Sequence, residues 1–368
     1  MQEGRQPGPY MISGSAALFA MILRTGRVAR PFRSVLFFSI LPLVATAGCM
    51  FGSVRALRDV PFGGGPPPIR WFSPGAEDAP VLARWRVGVG PPVLSAGRGT
   101  LGAAVDGLTI VSWNTALGAG DIPRFVRSLP PAGATVLLLQ EVYRGGPEVP
   151  AVLPPDAAFA PRKGGAAAGS RYEEIESVAA ALGLWLYYVP SMRNGTPAAS
   201  SEDRGNAILS SLPLQDLAAF ELPFERQRRV ALAGTIAGSA SAGAPWRLRL
   251  VNAHLDNTFD LRRLWLAAEY GRTRQARSLL SALPIEEPLI LGGDFNTWSG
   301  FSDQTYLTLA RAFPSRHVTD PRATFLGVLR LDHLFFRLDP GWTATVRRGD
   351  DRFGSDHYPL IATVRVGR

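Results

Sequence analysis

The sequence predicts an α/β domain in which two packed sheets form the core and helices cover them. From Gly107 onward, short runs rich in β-branched residues or leucine alternate with segments of helical periodicity, and turn residues separate most of them. The 368 residues are 46% hydrophobic and 19% charged, which is enough apolar material for one large core or two moderate ones. The folded domain is therefore expected to cover residues 107–368.

Nine runs have the length of roughly 4 to 8 residues and the apolar composition typical of strands, and four longer segments have the apolar spacing of helices. The strands are predicted at residues 108–113, 135–140, 185–189, 207–210, 230–236, 246–252, 289–292, 333–337 and 362–366. The helices are predicted at residues 122–129, 172–182, 261–283 and 302–312. No internal repeat is visible in this order of elements.

Cysteine content and charge exclude some classes of function. The single cysteine, Cys49, cannot form an internal disulfide, and a zinc site would need its ligands from four histidines and the acidic residues. Residues 1–100 hold 11 Arg and 4 acidic residues (+7), whereas residues 101–368 hold 28 basic and 26 acidic residues (+2), giving the net charge of +9. All basic residues except Lys163 are arginine, which indicates a compositional bias. The high basicity is therefore weak support for nucleic-acid binding.

The N-terminal part of the sequence has the order of a secretory signal. Arginines precede an apolar run at residues 35–47, which is shorter than the roughly 20 residues of a spanning helix. The run is followed by Gly48 and Cys49, as in the lipobox of bacterial lipoproteins, although Thr46 stands where that pattern usually has Leu. We expect residues 1–50 to be a signal or lipoprotein export segment and the protein to reach the cell envelope, lipid-anchored or membrane-associated. Plain secretion and an uncleaved anchor are the alternatives.

The segment between the export signal and the domain is rich in glycine and proline. Residues 63–68, for example, are three glycines followed by three prolines. This composition predicts that residues 51–106 form a tether that ends in a short strand. Four apolar side chains could still pack on the following domain: Trp71, Phe72, Trp85 and Val87.

Polar side chains follow several predicted strands at the point where each strand ends, which is where active sites commonly form. Asn114 follows the first strand, Glu141 comes after a strand of apolar residues, and His254 lies just beyond another strand. Asp294 and Asn296 are two residues apart, so their side chains would point the same way if the strand continues.

Two late segments extend this set of polar residues. Asp332 opens a strand, and Asp356 with His357 precedes the last one. Each residue has a simpler alternative, such as a turn residue, a surface acid, a hydrogen-bonded buried imidazole or an Asx turn. Together they indicate one site, and oxygen ligands without cysteine favour a hard cation, Mg²⁺ or else Mn²⁺ or Ca²⁺, over zinc.

The segments around these residues resemble the ordered motifs of the endonuclease/exonuclease/phosphatase superfamily. This superfamily includes secreted deoxyribonucleases, apurinic endonucleases, bacterial sphingomyelinases and inositol polyphosphate phosphatases. The resemblance covers about residues 107–368 and rests on seven motifs in family order: Val111-Ser112-Trp113-Asn114-Thr115, Leu139-Gln140-Glu141-Val142, Gly205-Asn206-Ala207-Ile208-Leu209-Ser210, Asn252-Ala253-His254-Leu255-Asp256, Gly292-Gly293-Asp294-Phe295-Asn296, Leu331-Asp332-His333-Leu334 and Gly354-Ser355-Asp356-His357-Tyr358-Pro359-Leu360.

The resemblance implies a four-layer α/β/β/α sandwich, with two mixed sheets flanked by helices, and metal-dependent cleavage of a phosphate ester. It implies that Glu141 is the main Mg²⁺ ligand, that Asn114 assists it, and that Asp356 lies near the same ion or a second one.

The resemblance also implies a role for each remaining residue. Asp294 would orient or deprotonate the attacking water, and Asn296 would hold that water or a phosphate oxygen. His357, steadied by Asp332, would contact the phosphoryl oxygens, and His254 would stabilise the pentacovalent centre or the leaving oxygen. A phosphodiester repels nucleophiles through its own charge, so positive groups on its oxygens and a carboxylate that aims the water fit this chemistry.

Departures from the motifs bear on the substrate. Ala116 stands where nucleases of the family often have a second Asn, and Ser211 stands where many members have a basic residue. We expect an exported, monomeric phosphodiesterase, with nucleic acid as the first candidate substrate. A sphingomyelinase or phospholipase C-like enzyme, which the segment 254–256 favours, and a small-molecule phosphatase are alternatives. An alternative outside the enzymes is a non-catalytic envelope lipoprotein that acts as a binding module.

Overall fold

The computed structural model describes residues 57–60, 69–99, 104–159, 173–194, 201–257, 266–314 and 317–367. The predicted export segment, with Cys49, lies outside the described residues. Within these described ranges, no helix is long and apolar enough to cross a membrane.

Fourteen strands form two seven-stranded sheets in the described residues. Sheet I contains, in spatial order, β1 (Arg58–Val60), β2 (Arg70–Ser73), β8 (Gln215–Glu221), β9 (Val230–Ser239), β10 (Pro245–His254), β11 (Leu289–Asp294) and β12 (Asp332–Arg337). Sheet II contains, in spatial order, β13 (Thr343–Arg348), β14 (Leu360–Arg365), β4 (Gly107–Asn114), β5 (Ala134–Gly145), β7 (Glu202–Ser210), β6 (Trp185–Arg193) and β3 (Val93–Ser95).

Both sheets are mixed. In sheet I, β2 pairs with β8 and β10 with β11 in parallel. In sheet II, β4 and β5 are parallel. The remaining neighbours are antiparallel.

The sheets pack face to face, and helices cover their outer faces. The helices are α1 (Ala79–Arg86), α2 (Ile122–Ser128), α3 (Ile175–Leu182), α4 (Leu266–Ala282) and α5 (Gln304–Ala312). Leu138 and Leu250 belong to the core between the sheets. The next residue in each strand faces outward, Leu139 toward α2 and α3 and Val251 toward α4 and α5. Burial on both faces explains why residues 136–139 of β5 are apolar at every position. The predicted two-sheet core flanked by helices is confirmed.

All nine predicted strands lie within or overlap strands of the structure. The predicted helix at 261–283 is described as Leu266–Ala282, and the one at 302–312 begins with a short 3₁₀ turn before α5. The sequence analysis missed β1, β2, β3, β8 and β13. Most of these strands lie at or next to a sheet edge, where pairing with a neighbour stabilises a strand that has weak signals of its own.

The predicted domain boundary at residue 107 is wrong. Residues 69–99, the N-terminal segment, supply β2 to sheet I and β3 to sheet II, with α1 between them. Trp71 and Leu82 are buried in this segment. Two buried carboxylates hold it, because Glu221 accepts a hydrogen bond from Arg86 Nε and Asp203 accepts one from the backbone N–H of Gly90. Composition alone does not reveal such contacts.

Candidate active site

Two pairs of parallel strands bring four of the predicted site residues to one edge of the sandwich. In sheet II, Asn114 at the end of β4 lies beside Gln140 of β5, and Glu141 follows. In sheet I, the parallel strands β10 and β11 pair His254 with Asp294. Asn114 Nδ2 donates a hydrogen bond to Asp294 Oδ2 across the two sheets at 3.0 Å. The strand ends of both sheets therefore meet at one point.

Hydrogen bonds lock the two sheets together directly below this point. Asn252 Nδ2 donates to the carbonyl oxygens of Leu139 and Ala207, at 2.8 Å each. Gln140 Nε2 donates to Asn252 Oδ1 at 2.7 Å. Because Asn252 lies two residues before His254 on β10, this network fixes the position of His254 relative to sheet II.

A glycine lets β11 approach β10 closely. A Cβ atom on Gly293 would lie 1.9 Å from the carbonyl oxygen of Ala253, so any larger residue would push the strands apart. Asp294 follows directly and is paired with His254.

Asp294 is the centre of the cluster. Its Oδ1 accepts the backbone N–H of Asn296 at 3.0 Å, and its Oδ2 accepts from Asn114. The same Oδ2 lies 3.6 Å from His254 Nε2 and 3.8 Å from His357 Nε2. A buried carboxylate thus lies between two imidazole nitrogens.

A second carboxylate orients His357. Its Nδ1 lies 2.8 Å from Asp332 Oδ2, which leaves Nε2 facing Asp294. Ser355 Oγ accepts the backbone N–H of His357 at 3.0 Å and donates to the carbonyl oxygen of Asn114 at 2.7 Å. The turn that carries His357 is therefore fixed to the end of β4.

Asp294 and the two imidazoles beside it differ in their affinity for protons. Burial and the Asp332 carboxylate raise the pKa of Asp294 to about 7. Burial opposes protonation of His357, but the carboxylates of Asp332 and Asp294 outweigh it and raise the pKa of His357 to about 10. Burial and nearby positive charges lower the pKa of His254 well below its usual value. At neutral pH the site thus combines an imidazolium, a neutral imidazole and a carboxyl group near its pKa.

Two further carboxylates offer oxygen ligands for a cation. Glu141 follows a register shift in β5 with a φ of 53°, and its half-buried carboxylate lies 4.0 Å from His254 Nε2. Among the described residues it receives no hydrogen bond. Asp356 Oδ1 lies 3.9 Å from His357 Nε2, and burial together with the charge of Glu141 raises the pKa of Asp356. Neighbouring carboxylates of like charge fit a divalent hard cation.

Three further residues of the cluster could also provide ligands for a cation. Asp294, Asp332 and His357 bring ligand atoms within 4.8 Å of one another. Most of these atoms already bond one another or Asn114 and Asn296, but the buried Oδ1 of Asp332 has no hydrogen-bond partner among the described residues.

All eight predicted site residues lie at this edge, but the side chains of two of them already bond other groups of the protein. The amide of Asn114 is occupied on both sides, since its Oδ1 accepts the backbone N–H of Ala116. Asn296 closes an Asx turn on Asp294 and donates its Nδ2 to the carbonyl oxygen of Leu255. The roles of both residues toward a ligand stay predictions.

Asp256 and Gln275 support the site, and the sequence analysis did not identify them. Asp256 Oδ2 accepts the backbone N–H groups of Arg226 and Gln227. Gln275 Oε1 accepts the backbone N–H of Asp256, and its Nε2 donates to the carbonyl oxygen of Pro223. Both side chains therefore hold the loop between β8 and β9, and the only sequence signal was that Asp256 belongs to the motif of His254.

Two arginines of α4 pair with carboxylates of neighbouring elements. Arg272 is buried and pairs with Asp303 at 3.2 Å, and Arg274 pairs with Glu225. These pairs attach α4 to the start of α5 and to the loop between β8 and β9.

Comparisons with known proteins agree with the geometry. A model of the Endonuclease/Exonuclease/phosphatase family matches residues 111–357, a range that includes all eight predicted site residues. No curated protein sequence matches the chain. A solved endonuclease/exonuclease/phosphatase from Beutenbergia cavernae DSM 12333 is 20% identical, covers 71% of this chain and 72% of its own, and has a TM-score of 0.51. This similarity shows a shared fold.

Two other solved structures are less similar. An endonuclease/exonuclease/phosphatase family protein from Leptotrichia buccalis C-1013-b is 14% identical, with coverage of 71% of this chain and 100% of its own and a TM-score of 0.46. A 3′-5′ exonuclease from Neisseria meningitidis is 16% identical, with coverage of 71% and 100% and a TM-score of 0.42.

Proposed function

The chain belongs to the endonuclease/exonuclease/phosphatase family, and on this premise we propose that it hydrolyses phosphodiesters. The proposed reaction uses a divalent cation, with Mg²⁺ as the first candidate. One observation carries the proposal. The carboxyl group of Asp294 is buried between two imidazoles, and its pKa of about 7 suits a general base that works at neutral pH.

Asp294 receives the proton of the attacking water in the proposed reaction. As the water oxygen forms its bond to phosphorus, the bond to the leaving oxygen breaks on the opposite side. Asn114 and the backbone N–H of Asn296 hold the carboxylate in place, so its orientation costs nothing at the moment of reaction.

The two histidines act on the phosphate oxygens. His357 is kept protonated by Asp332 and donates to a non-bridging oxygen, where negative charge increases in the transition state. His254 is neutral and hydrogen-bonds the leaving oxygen. The different charges of the two imidazoles follow from their partners, since only His357 has a carboxylate at hydrogen-bond distance.

Glu141 would hold the cation, with Asp356 beside it. A bound cation neutralises phosphate charge and polarises the phosphorus–oxygen bonds. The half-buried, unbonded carboxylate of Glu141 fits a hard ion, and the described part of the site has no sulfur ligand that would favour a softer one.

Nucleic acid is the first candidate substrate, because nucleases account for much of the family. A specific observation favours a lipid phosphodiester as the second candidate. Leu326 and Val328 are 43% and 71% exposed in a turn next to the site. The ring of Phe325 in this turn lies tilted against that of His357, with 4.8 Å between the ring centroids, and the backbone N–H of Leu326 donates to the carbonyl oxygen of Asp356. An exposed apolar turn at the rim of a site suits a lipid surface.

A hydrolysis assay tests the function. The purified full chain is incubated with bis(4-nitrophenyl) phosphate, plasmid DNA, RNA and sphingomyelin, with Mg²⁺ or with EDTA. We expect EDTA-sensitive hydrolysis, which would also exclude a purely binding role. Asp294→Ala and His357→Ala should each lower turnover at least about 100-fold, the lower range for loss of a general base or an electrostatic group.

A third histidine serves as the control. His317 lies against Phe336, and His317→Ala should leave turnover near that of the wild type. Near-normal turnover in folded Asp294→Ala would contradict the proposed role of the carboxylate.

Export is a separate proposal that rests on residues 24–49, outside the described residues. Labelling with a radioactive fatty acid in a bacterial host tests it. Label that is lost in Cys49→Ala supports a lipoprotein, and label that survives this substitution, or absence of label in the wild type, contradicts it.

A further inference from the structure

Two consecutive arginines at the start of β9 are both buried but differ in their contacts. Arg228 donates from Nε to Glu221 Oε1 at 2.6 Å and from Nη1 to the carbonyl oxygens of Pro190 and Ser191. Arg229 is 4% exposed, and within the described residues its side chain has no hydrogen bond or ion pair, including at its buried Nε. A buried guanidinium without a partner destabilises a fold, so this position calls for an explanation.

Arg229 is next in the chain to the residue that faces His254. It directly precedes β9, whose antiparallel register pairs Leu232 with Asn252 of β10 and, when continued, brings Val230 opposite His254. Among the positive charges that lower the pKa of His254, after burial, Arg229 acts most strongly, followed by His357 and then Arg204. The positive charge of Arg229 therefore acts on the imidazole of His254.

The loop that carries Arg229 is held in place. Asp256 accepts the backbone N–H groups of Arg226 and Gln227, and the side chain of Arg228 ties the end of the loop to Glu221. The guanidinium of Arg229 is thus kept at the site although no protein group stabilises it there.

We propose that Arg229 binds a non-bridging oxygen of the substrate phosphate. The phosphate is then the anionic partner that this side chain lacks in the folded protein. The inference rests on the proposed function and deepens it. A guanidinium presents a planar fork of N–H donors that matches phosphate oxygens, and it is less strongly hydrated than an ammonium group.

Binding of inorganic phosphate tests the inference without cation or turnover. The thermal midpoint of the full chain is measured in EDTA with increasing phosphate, against chloride at equal ionic strength. We expect phosphate to raise the midpoint of the wild type and not that of Arg229→Met. Arg226→Met is the matched control, because it removes the same charge from an exposed position three residues away and should keep the response.

Kinetics and ligand-free stability separate binding from a structural role. With the diester that the wild type cleaves, Arg229→Met should raise the inhibition constant of phosphate at least about 10-fold, as expected for loss of a charged hydrogen bond. Arg229→Lys should restore part of this affinity. Without phosphate, Arg229→Met should melt at or above the wild-type temperature, because it removes an unpaired buried charge. A structural arginine would give a lower midpoint.

The outcomes distinguish this inference from the proposed function. If the wild type binds phosphate through Arg229 but cleaves no ester, the function fails and the inference stands. If Arg229→Met responds to phosphate like the wild type, or melts below it without ligand, the inference is overturned while EDTA-sensitive hydrolysis still supports the function.

Discussion

Replacing Glu221 with glutamine is expected to loosen the N-terminal segment, because this carboxylate joins three parts of the fold. Glu221 is fully buried at the end of β8. It accepts hydrogen bonds from Ser73 Oγ at 2.9 Å, from Arg86 Nε at 2.9 Å and from Arg228 Nε at 2.6 Å. Ser73 and Arg86 belong to the segment, whereas Arg228 lies in the loop before β9.

The size of the effect follows from the burial of each partner. The side chain of Arg228 is 2% exposed, so Glu221→Gln leaves a buried cation opposite a neutral amide, which typically costs about 3–5 kcal/mol. The side chain of Arg86 is 39% exposed, and its contribution is at most about 1 kcal/mol. For a domain of this size, roughly 2–4 °C per kcal/mol gives a midpoint lowered by about 6–20 °C.

Thermal and urea unfolding measure this loss, and two further variants identify its origin. Arg86→Ala should lower the midpoint much less than Glu221→Gln. The double variant Glu221→Leu with Arg228→Met should recover much of the loss, since apolar side chains can replace a buried ion pair. Hydrogen exchange should become faster in residues 70–86 of Glu221→Gln. A midpoint within about 2 °C of the wild type in Glu221→Gln would refute the reasoning.

Three further predictions concern pH, the domain boundary and the cation. Burial alone would raise the pKa of Glu221, but Arg228 and Arg86 outweigh burial and lower the pKa from 4.5. The stability that Glu221 contributes is therefore complete above pH 4.5 and is lost as the pH falls further. The free energy of unfolding in urea should depend less on acid pH in Glu221→Gln than in the wild type. A shortened chain of residues 107–368 lacks β2, α1 and β3 and should show no cooperative melting by circular dichroism. Glu141→Gln should raise the Mg²⁺ concentration for half-maximal hydrolysis at least about 10-fold, and an unchanged requirement would exclude it as the main ligand.

The core strands could be predicted because their signal is local. The residues 136–139 of β5 are apolar at every position, and burial on both faces requires this. The strands of the N-terminal segment could not be predicted in the same way. Residues 70–73 pair in parallel with β8, far along the chain, and depend on the contact of Ser73 with Glu221. Neither feature leaves a pattern in the neighbouring sequence.

The sequence predicted which residues lie together at this edge of the sheets, but not which of them contact each other. Strand ends and motif order identified Asp294, Asp332 and His357, yet only the antiparallel pairing of β11 with β12 places Asp332 opposite Asp294. Burial raises the pKa of Asp294 and the Asp332 carboxylate raises it further, so the proton affinity of the proposed general base depends in part on a strand register that spacing does not reveal.

The buried arginines show why hydrogen-bond accounting adds to sequence reading in this chain. Because nearly all its cations are arginine, Arg228 and Arg229 are indistinguishable by composition, and so are Arg144 and Arg272. Arg144, Arg228 and Arg272 each face a buried carboxylate, which stabilises the scaffold. Arg229 lies at the strand ends without such a partner. A buried arginine that has no carboxylate partner keeps a capacity to bind an anion, at a cost in stability that a bound anion would offset.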